Sequence, residues 1–290
     1  MTDSPEPQLQ AHPRLSAVQQ TMLIPLVARA LGGGLFPGHA CGDQQAAELV
    51  RRLQLPTAPY LVDRPTVLNI LWRTKVIRDT GLAFFARHPE AWGVNLGCGL
   101  SQYFQWLDNG RNTWLDTDMR PSMELRRRLL PPDTERQRSA IIDLRRPQWW
   151  QDLNLPAQAL GQPLFMLCEG VLMYLQPQQV RHVLHSFAAQ APAGSRLVID
   201  ILAGCAVGMA QWHASVGPTK AQFHWGIRSL QELTDCHPRL RLLATHSVAA
   251  SHGWMGIAAE RMWSYWSSTP LYGVVELGVE LKLKYITFYA

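Results

Sequence analysis

A short apolar run closed by two nearby glycines, with a second run ending in acids about twenty residues further on, leaves this chain few ways to fold. The residues are Val94-Asn95-Leu96-Gly97-Cys98-Gly99-Leu100 and Trp114-Leu115-Asp116-Thr117-Asp118. Ala91 to Leu96 reads as a buried strand. Glycines directly after it let the backbone approach a ligand and adopt dihedrals that a Cβ disfavours. An acid at the tip of the neighbouring strand is placed to accept hydrogen bonds from both hydroxyls of a ribose. Asp118 is the better candidate of the two, since Asp116 lies on the same strand face but deeper.

Further strand-like segments run from Thr113 to Asp118, Ser139 to Asp143, Leu164 to Glu169 and Arg196 to Ile201. Helix-like stretches lie between them, Ser122 to Leu130 and Pro177 to Gln190 being the clearest. This alternation predicts an α/β chain with a mostly parallel, Rossmann-like sheet covered on both faces. Arg239 to His246 and Lys284 to Tyr289 are candidates for a late hairpin or edge pair. Ahead of the sheet, residues 16–89 read as a helical N-terminal extension. Apolar residues recur there at helical spacing in Val18, Met22 and Leu26, and again in Val67, Ile70, Leu71, Val76 and Ile77. Gly32-Gly33-Gly34, Pro37-Gly38, Pro56 and Pro59 break the helices. Residues 1–15 read as a frayed polar tail and residues 90–290 as the α/β domain. Within that domain, 204–236 is rich in Gly, His and Trp, fits neither period, and reads as a lid-like insertion.

Composition narrows the class. An apolar fraction of 47% with 17% charged residues describes a soluble globular chain. No apolar run approaches the roughly 20 residues of a membrane-spanning helix. The N-terminus also lacks the pattern of a signal peptide, so the expected location is cytoplasmic, away from membranes. Five cysteines, odd in number and scattered, argue against a disulfide framework or structural zinc and for a reducing compartment. The net charge is +5, but the arginines are spread out. The clusters Arg51-Arg52, Arg126-Arg127-Arg128 and Arg145-Arg146 read as solvated faces, and no nucleic-acid partner is expected. His182 and His185, spaced i, i+3 on a predicted helix, have no acid or cysteine to complete a metal site, so no metal is expected. Oligomeric state is not legible.

The ligand class follows from the glycine turn. A nicotinamide dinucleotide fingerprint, G-x-G-x-x-G, places a third glycine beside the pyrophosphate, and here Gln102 stands in that position. S-adenosylmethionine has an adenosine but no pyrophosphate. The turn therefore favours this methyl donor, with a nicotinamide-dependent oxidoreductase as the alternative. Two further acids support an adenosyl site. Asp143, followed by Leu144, ends the third strand, where a carboxylate meets the adenine amine; the competing reading is a loop ion pair. Glu169 ends the fourth strand at the carboxyl edge, where open α/β sheets bind ligands; the competing reading is a helix N-terminal acid.

Together these residues resemble the leucine carboxyl methyltransferase family, and within it the bacterial polyketide O-methyltransferase branch. The resemblance runs from about Ser16 to Trp225. It is carried by Arg73-Thr74 with Asp79, Asn95-Leu96-Gly97-Cys98-Gly99-Leu100, Trp114 with Asp116 and Asp118, Asp143-Leu144-Arg145, Glu169-Gly170-Val171-Leu172-Met173-Tyr174-Leu175, and Phe223-His224-Trp225-Gly226. It implies a class I methyltransferase sheet and an S-adenosylmethionine cofactor. It also implies a small-molecule methyl acceptor bearing a carboxylate or hydroxyl, polyketide-like, attacked by in-line displacement.

By the same resemblance Arg73 pairs with the methionine carboxylate and Gly97, with Gly99, lies against the donor. Asp118 holds the ribose, Asp143 and the Leu144 backbone read the adenine, and Glu169 sits near the amino group. The family's turn commonly continues G-L-D-T-R; this chain has Gly99-Leu100-Ser101-Gln102-Tyr103. That departure keeps a third reading open, a non-catalytic regulatory module. Tyr174, His224 and His213 are candidates to lie near the acceptor, the first two as possible catalytic groups. Trp212, Trp225 and Trp254 are candidates to wall its pocket.

Overall fold

The apolar runs become strands because helices cover both faces of the sheet they form. In the computed structural model, which describes residues 16–281, β1 (Trp92–Leu96) and β4 (Phe165–Cys168) are buried at every position. Such strands lose the polar alternation of a half-solvated sheet, which is why they read as continuous apolar segments. The extension ahead of them supplies three main helices: α1 (Leu23–Leu31), α2 (Gln44–Arg52) and the long α3 (Arg64–Arg87). Asp43 and Asp63 cap the last two by accepting from the N–H of Ala46 and Thr66. After β1 come β2 (Thr113–Asp118), α4 (Arg120–Leu129), β3 (Gln137–Ile141) and then β4. α5 (Pro177–Gln190), β5 (Arg196–Leu202), β6 (Leu240–Ser247), α6 (Gly253–Ser264) and β7 (Tyr272–Val279) complete the chain.

The seven strands lie in the order β3-β2-β1-β4-β5-β7-β6. The first five are parallel, and β7 is antiparallel to both β5 and β6. A dinucleotide-binding sheet has the parallel order 3-2-1-4-5-6. The antiparallel β7 wedged between β5 and β6 departs from that order. Chain direction reverses its winding between β1 and β4, and a crevice opens there at the carboxyl edge.

On one face of the sheet α3 lays Ile77, Phe84 and Phe85 against Trp114, Phe165 and Leu167. The Trp114 ring sits directly over Gly93, where an added Cβ would stand 2.1 Å from Trp114 Cε3. The opposite face packs α5 through Val180, Val183, Leu184 and Phe187 against β1, β4 and β5. Among the described residues no helix is long and apolar enough to cross a membrane.

One expectation needs correction. The third strand ends at Ile141 rather than Asp143: its last registered pair with β2 is Asp118 with Ile141, and the ladder closes on the Ile142 N–H bond to Asp118 O. β6 pairs with β7; Lys284 to Tyr289, the other segment expected in a late hairpin or edge pair, lies outside the described residues, as does the expected tail at 1–15. β7 escapes a search for apolar runs because it contains Gly273, Gly278 and the buried Glu276. That glutamate accepts from Thr80 (3.0 Å), Arg196 (2.9 Å) and His246 (2.9 Å). Residues 204–236 leave β5, make three short 3₁₀ turns and return at Ile227, whose N–H donates to Leu202 O. Val216, Ala221 and Phe223 of this insertion pack against Ile24, Ile70 and Met173.

Gly93→Ala is expected to destabilise the fold by about 1–3 kcal/mol through overpacking against Trp114. The midpoint of urea denaturation, at unchanged slope, measures this.

Candidate active site

A cavity of about 630 Å³ opens at the carboxyl ends of β1, β2 and β4, a volume in the range of small-molecule pockets. Gly97, Gly99, Asp118, Asp143, Leu144 and Glu169 lie on its sheet side. The opposite wall comes from Thr21, Met22 and Ile24 around the start of α1, from Thr66, Asn69, Ile70 and Arg73 of α3, and from His213, Val216 and Phe223 of the insertion. Segments some two hundred residues apart thus enclose one space.

The glycine turn is built as the spacing predicts. Gly97 and Gly99 have φ of +72° and +48°, a region costly for any residue with a Cβ. A Cβ on Gly97 would also collide with Val171 Cγ2 at 2.3 Å. Gly99 N–H donates to Asp118 Oδ2 (2.8 Å) and Met119 N–H to Asp118 Oδ1 (2.7 Å), and the Ser122 side chain hydrogen-bonds the same carboxyl, which lines the cavity. Burial pushes the Asp118 carboxyl up, against the lowering effect of those bonds. Asp116 lies deeper, as expected. It accepts from Asn95, from Trp114 Nε1 and from Arg126 Nη2 (2.8 Å).

Arg126 corrects the reading of its cluster. Arg127 and Arg128 are solvated, but Arg126 is buried. Its Nη1 donates to Gly99 O (2.9 Å) and Ser101 O (2.7 Å), holding the glycine turn from beneath. A three-arginine run gives no hint of which member turns inward; the helical position, level with Met123 and Leu129, does.

The second construction is a buried ionic network. Arg73 Nη2 lies 2.5 Å from Glu169 Oε1, and Arg73 Nη1 lies 2.8 Å from Asp200 Oδ2. Arg73 Nη1 also donates to Tyr272 Oη (2.6 Å), which itself donates to Asp200 Oδ2 (2.9 Å). Tyr103 Oη donates to Glu169 Oε2 (2.7 Å), and Gly170 N–H to Asp200 Oδ1 (2.8 Å). Burial pushes Glu169 up, yet Arg73 opposes it and holds the carboxyl below the usual glutamate range. Burial raises the Tyr103 and Tyr272 phenols well above theirs. One guanidinium among two carboxylates leaves an excess negative charge beside the cavity. Arg73 Nε is buried and has no hydrogen-bond partner among the described residues.

Sequence reasoning missed Asp200, Tyr272 and Tyr103. An aspartate inside the apolar run Leu197-Val198-Ile199 was the available signal for the first; the tyrosines carried none. The departure at Ser101-Gln102-Tyr103 is itself structural. Ser101 Oγ donates to Cys98 O (2.7 Å) and accepts from Asn95, while Tyr103 anchors Glu169.

Arg73, Gly97, Gly99, Asp118, Asp143, Leu144, Glu169 and Tyr174 all line the cavity. Asp143 does so while ion-paired to Arg145 (2.7 Å), whose hydrogen bonds lower its pKa, as the loop ion-pair reading expects. His224 is a correction: its N–H donates to Met173 O (2.8 Å), and it is the preceding Phe223 that faces the cavity. His213 lines the space instead. The Nδ1 of His213 accepts weakly from Ser215 and Val216 N–H (3.3 Å each), and its Nε2 meets Thr66 Oγ1 at 3.4 Å. Burial lowers its pKa, keeping the ring neutral. Tyr174 stacks near Phe223 (5.7 Å between centroids), and burial raises its phenol.

None of the three tryptophans walls the cavity. Trp212 and Trp254 are each 78% exposed, and Trp225 belongs to the core beneath β5. His182 and His185 lie elsewhere, the first bonded to Pro147 O (2.8 Å) and the second against the His237 ring.

With this geometry in view, comparison with known proteins is decisive. The family model described as leucine carboxyl methyltransferase matches residues 37–188, more than half of the chain. The chain belongs to the leucine carboxyl methyltransferase family. It is an S-adenosylmethionine-dependent O-methyltransferase, and the nicotinamide reading falls away. A tetracenomycin polyketide synthesis O-methyltransferase of Streptomyces glaucescens is 28% identical over 240 residues, covering 82% of this chain and 86% of its own. A candidate methyltransferase of Thermobifida fusca shares the fold at a TM-score of 0.54 and 14% identity, covering 89% of this chain and 95% of that one. A DUF574 family protein of Streptomyces avermitilis does so at 0.50 and 13%, covering 82% and 90%.

Two measurements probe the site. Arg126→Met leaves the Asp116 carboxylate buried and unpaired and is expected to cost about 3–5 kcal/mol; adding Asp116→Asn should recover part of that in urea denaturation. Glu169 titrates below its unfolded value, so its stabilising contribution is complete above the unfolded pKa, about 4.3, and is lost as pH falls through the folded one. The stability advantage of wild type over Glu169→Gln should therefore be constant above about pH 5 and shrink on further acidification.

Proposed function

We propose that this enzyme O-methylates a carboxylate or hydroxyl of a small, largely apolar, polyketide-like acceptor, with its donor held by the glycine turn and the ionic network. The observation that carries this reading is the unpartnered Arg73 Nε–H beside Glu169, in an ionic network with one excess negative charge. Such a pair suits the zwitterionic end of an amino acid: a free guanidinium donor for its carboxylate, a carboxylate for its ammonium. Gly97, where a side chain has neither the dihedral nor the room, suits close approach of the donor's backbone-hugging portion.

On this assignment Asp118 receives both ribose hydroxyls, Asp143 with the Leu144 backbone reads adenine, Arg73 binds the methionine carboxylate and Glu169 the amino group. Bound S-adenosylmethionine supplies an electrophilic sulfonium methyl for in-line displacement by the acceptor oxygen. The chain supplies position and dryness. Ile24, Ile70, Val216 and Phe223 present an apolar wall to the acceptor. Neutral Tyr174 and neutral His213 act there as hydrogen-bond donors rather than bases, since the first keeps its phenolic proton and the second has Nδ1 engaged by backbone N–H. The likeness to the tetracenomycin enzyme supports the polyketide class.

Isothermal titration should show S-adenosylmethionine binding that Asp118→Ala weakens by at least about 100-fold, since each bond to a charged acceptor is worth about 1.5–3 kcal/mol. Undiminished binding by that variant would remove the assignment of Asp118. Transfer of labelled methyl to a polyketide panel, followed by mild base, separates the acceptor groups: volatile label marks an ester, retained label an ether.

A further inference from the structure

Helix α6 is amphipathic in the wrong sense for a helix whose outer face meets only water. The residues it turns toward the protein are Gly256, Glu260 and Trp263, spaced i, i+4, i+7. A Cβ on Gly256 would stand 2.3 Å from Ala249 O, Glu260 accepts from Ser247 Oγ, and Trp263 Nε1 donates to Thr269 O (2.7 Å). Its outward face and the turn after it present Trp254, Met255, Ile257, Met262, Tyr265 and Trp266. No residue of the helix itself is buried. A surface helix ordinarily hides its apolar stripe and solvates its polar one.

We infer that this face is a homodimer interface, covered by the same face of a second copy of the chain. Three arguments select that occupant. The first is area. Trp254, Tyr265 and Trp266, 78–89% exposed, each bring roughly 150–250 Å² of side chain, so the three aromatics alone offer about 400–600 Å². With the two methionines and Ile257 added, the face approaches the roughly 800 Å² per partner of a standard interface. It already matches or exceeds the largest patch a monomer usually leaves open.

The second argument is charge. Between Gly253 and Leu271 the chain carries one arginine, Arg261, and no lysine, while Glu260 is turned inward to Ser247. Membrane-surface helices and docking sites for acidic proteins carry several cations; this face has no such cluster. The third is composition. Aromatic and methionine residues with few charges mark the centre of homodimer interfaces, and a flat apolar face is complementary to itself across a twofold axis.

The interface reaches the active-site wall. His252, immediately before α6, places Nε2 2.8 Å from Asn69 Oδ1, and Asn69 lines the cavity. Pairing of two α6 helices therefore buttresses the α3 side of the pocket.

Sedimentation velocity on the full chain at about 10 µM tests the inference. The expected wild-type species has twice the mass of the 32.7 kDa chain. Trp254→Glu with Met262→Glu should raise the dimer dissociation constant by at least about 100-fold, equivalent to about 2.7 kcal/mol. The variant should keep its circular dichroism and S-adenosylmethionine binding, because neither residue is buried in the monomer. Ile257→Lys serves as the milder variant should the double one fail to fold. A wild-type monomer up to 100 µM overturns the inference. So does an unchanged dimer in folded variants, or a monomer that floats with vesicles of phosphatidylcholine and phosphatidylglycerol, which would give the face to lipid.

Discussion

The contact on which the rest of the structure turns is the guanidinium of Arg73 clasped between Glu169 and Asp200. It joins α3, in the N-terminal helices, to the ends of β4 and β5, and through Tyr272 to β7. A buried ion cluster of this kind is poor evidence of stability, because desolvating three charges costs as much as their attraction returns. Apolar residues of the same volume would hold α3 to the sheet at least as well. The charges make sense as chemistry: they set a fixed, dry, net-negative field at the mouth of the crevice, with one donor left over. Tyr103 and Tyr272, both far from ionising, complete the hydrogen bonding so that the network has one geometry.

Arg126 plays the corresponding part on the adenosine side. Gly97 N–H still joins the ladder at Thr117 O, but beyond it the turn takes Gly99 and Ser101 out of regular pairing, and a buried backbone group left without a partner is costly. Arg126 satisfies Gly99 O and Ser101 O from below, Asp118 satisfies Gly99 N–H from above, and Asp116 neutralises Arg126. The turn is thus preorganised by side chains from β2 and α4.

Much of this was legible in the residues. Periodicity located β1, β2, β4, β5, α4 and α5 to within about two residues, the margin expected at element ends, because long apolar runs and a proline at the first turn of α4 and α5 leave little choice. The glycine–acid spacing placed Gly97, Gly99 and Asp118 in one crevice. What stayed hidden depended on contacts between distant parts. β7 was invisible since Gly273, Glu276 and Gly278 interrupt its buried valines and leucine, so the strand shows neither a continuous apolar run nor a clean alternation. Asp200 drew no reading inside its strand, and Arg126 read as surface charge. His224 was preferred to a neighbour because a single-residue register in an irregular segment decides which side chain faces inward, and no period exists there to decide it. Trp212 and Trp254 misled for a related reason: size suggests burial, whereas these two lie outside.

The cavity draws its two halves from different kinds of backbone. Strand tips anchored in a seven-stranded sheet form one half, and helix α1, one face of α3 and the turns between Leu202 and Ile227 form the other. The first cannot drift without disturbing hydrogen-bonded ladders; the second is held by the Arg73 ion pairs, a few isolated backbone hydrogen bonds and, over most of its area, side-chain packing through Ile24, Ile70, Met173 and Phe223. Changes of shape in that packed half are therefore cheap in fold energy. A lineage built this way can exchange the molecules it modifies by remodelling its ceiling, generation after generation, while the floor goes on gripping the same reagent.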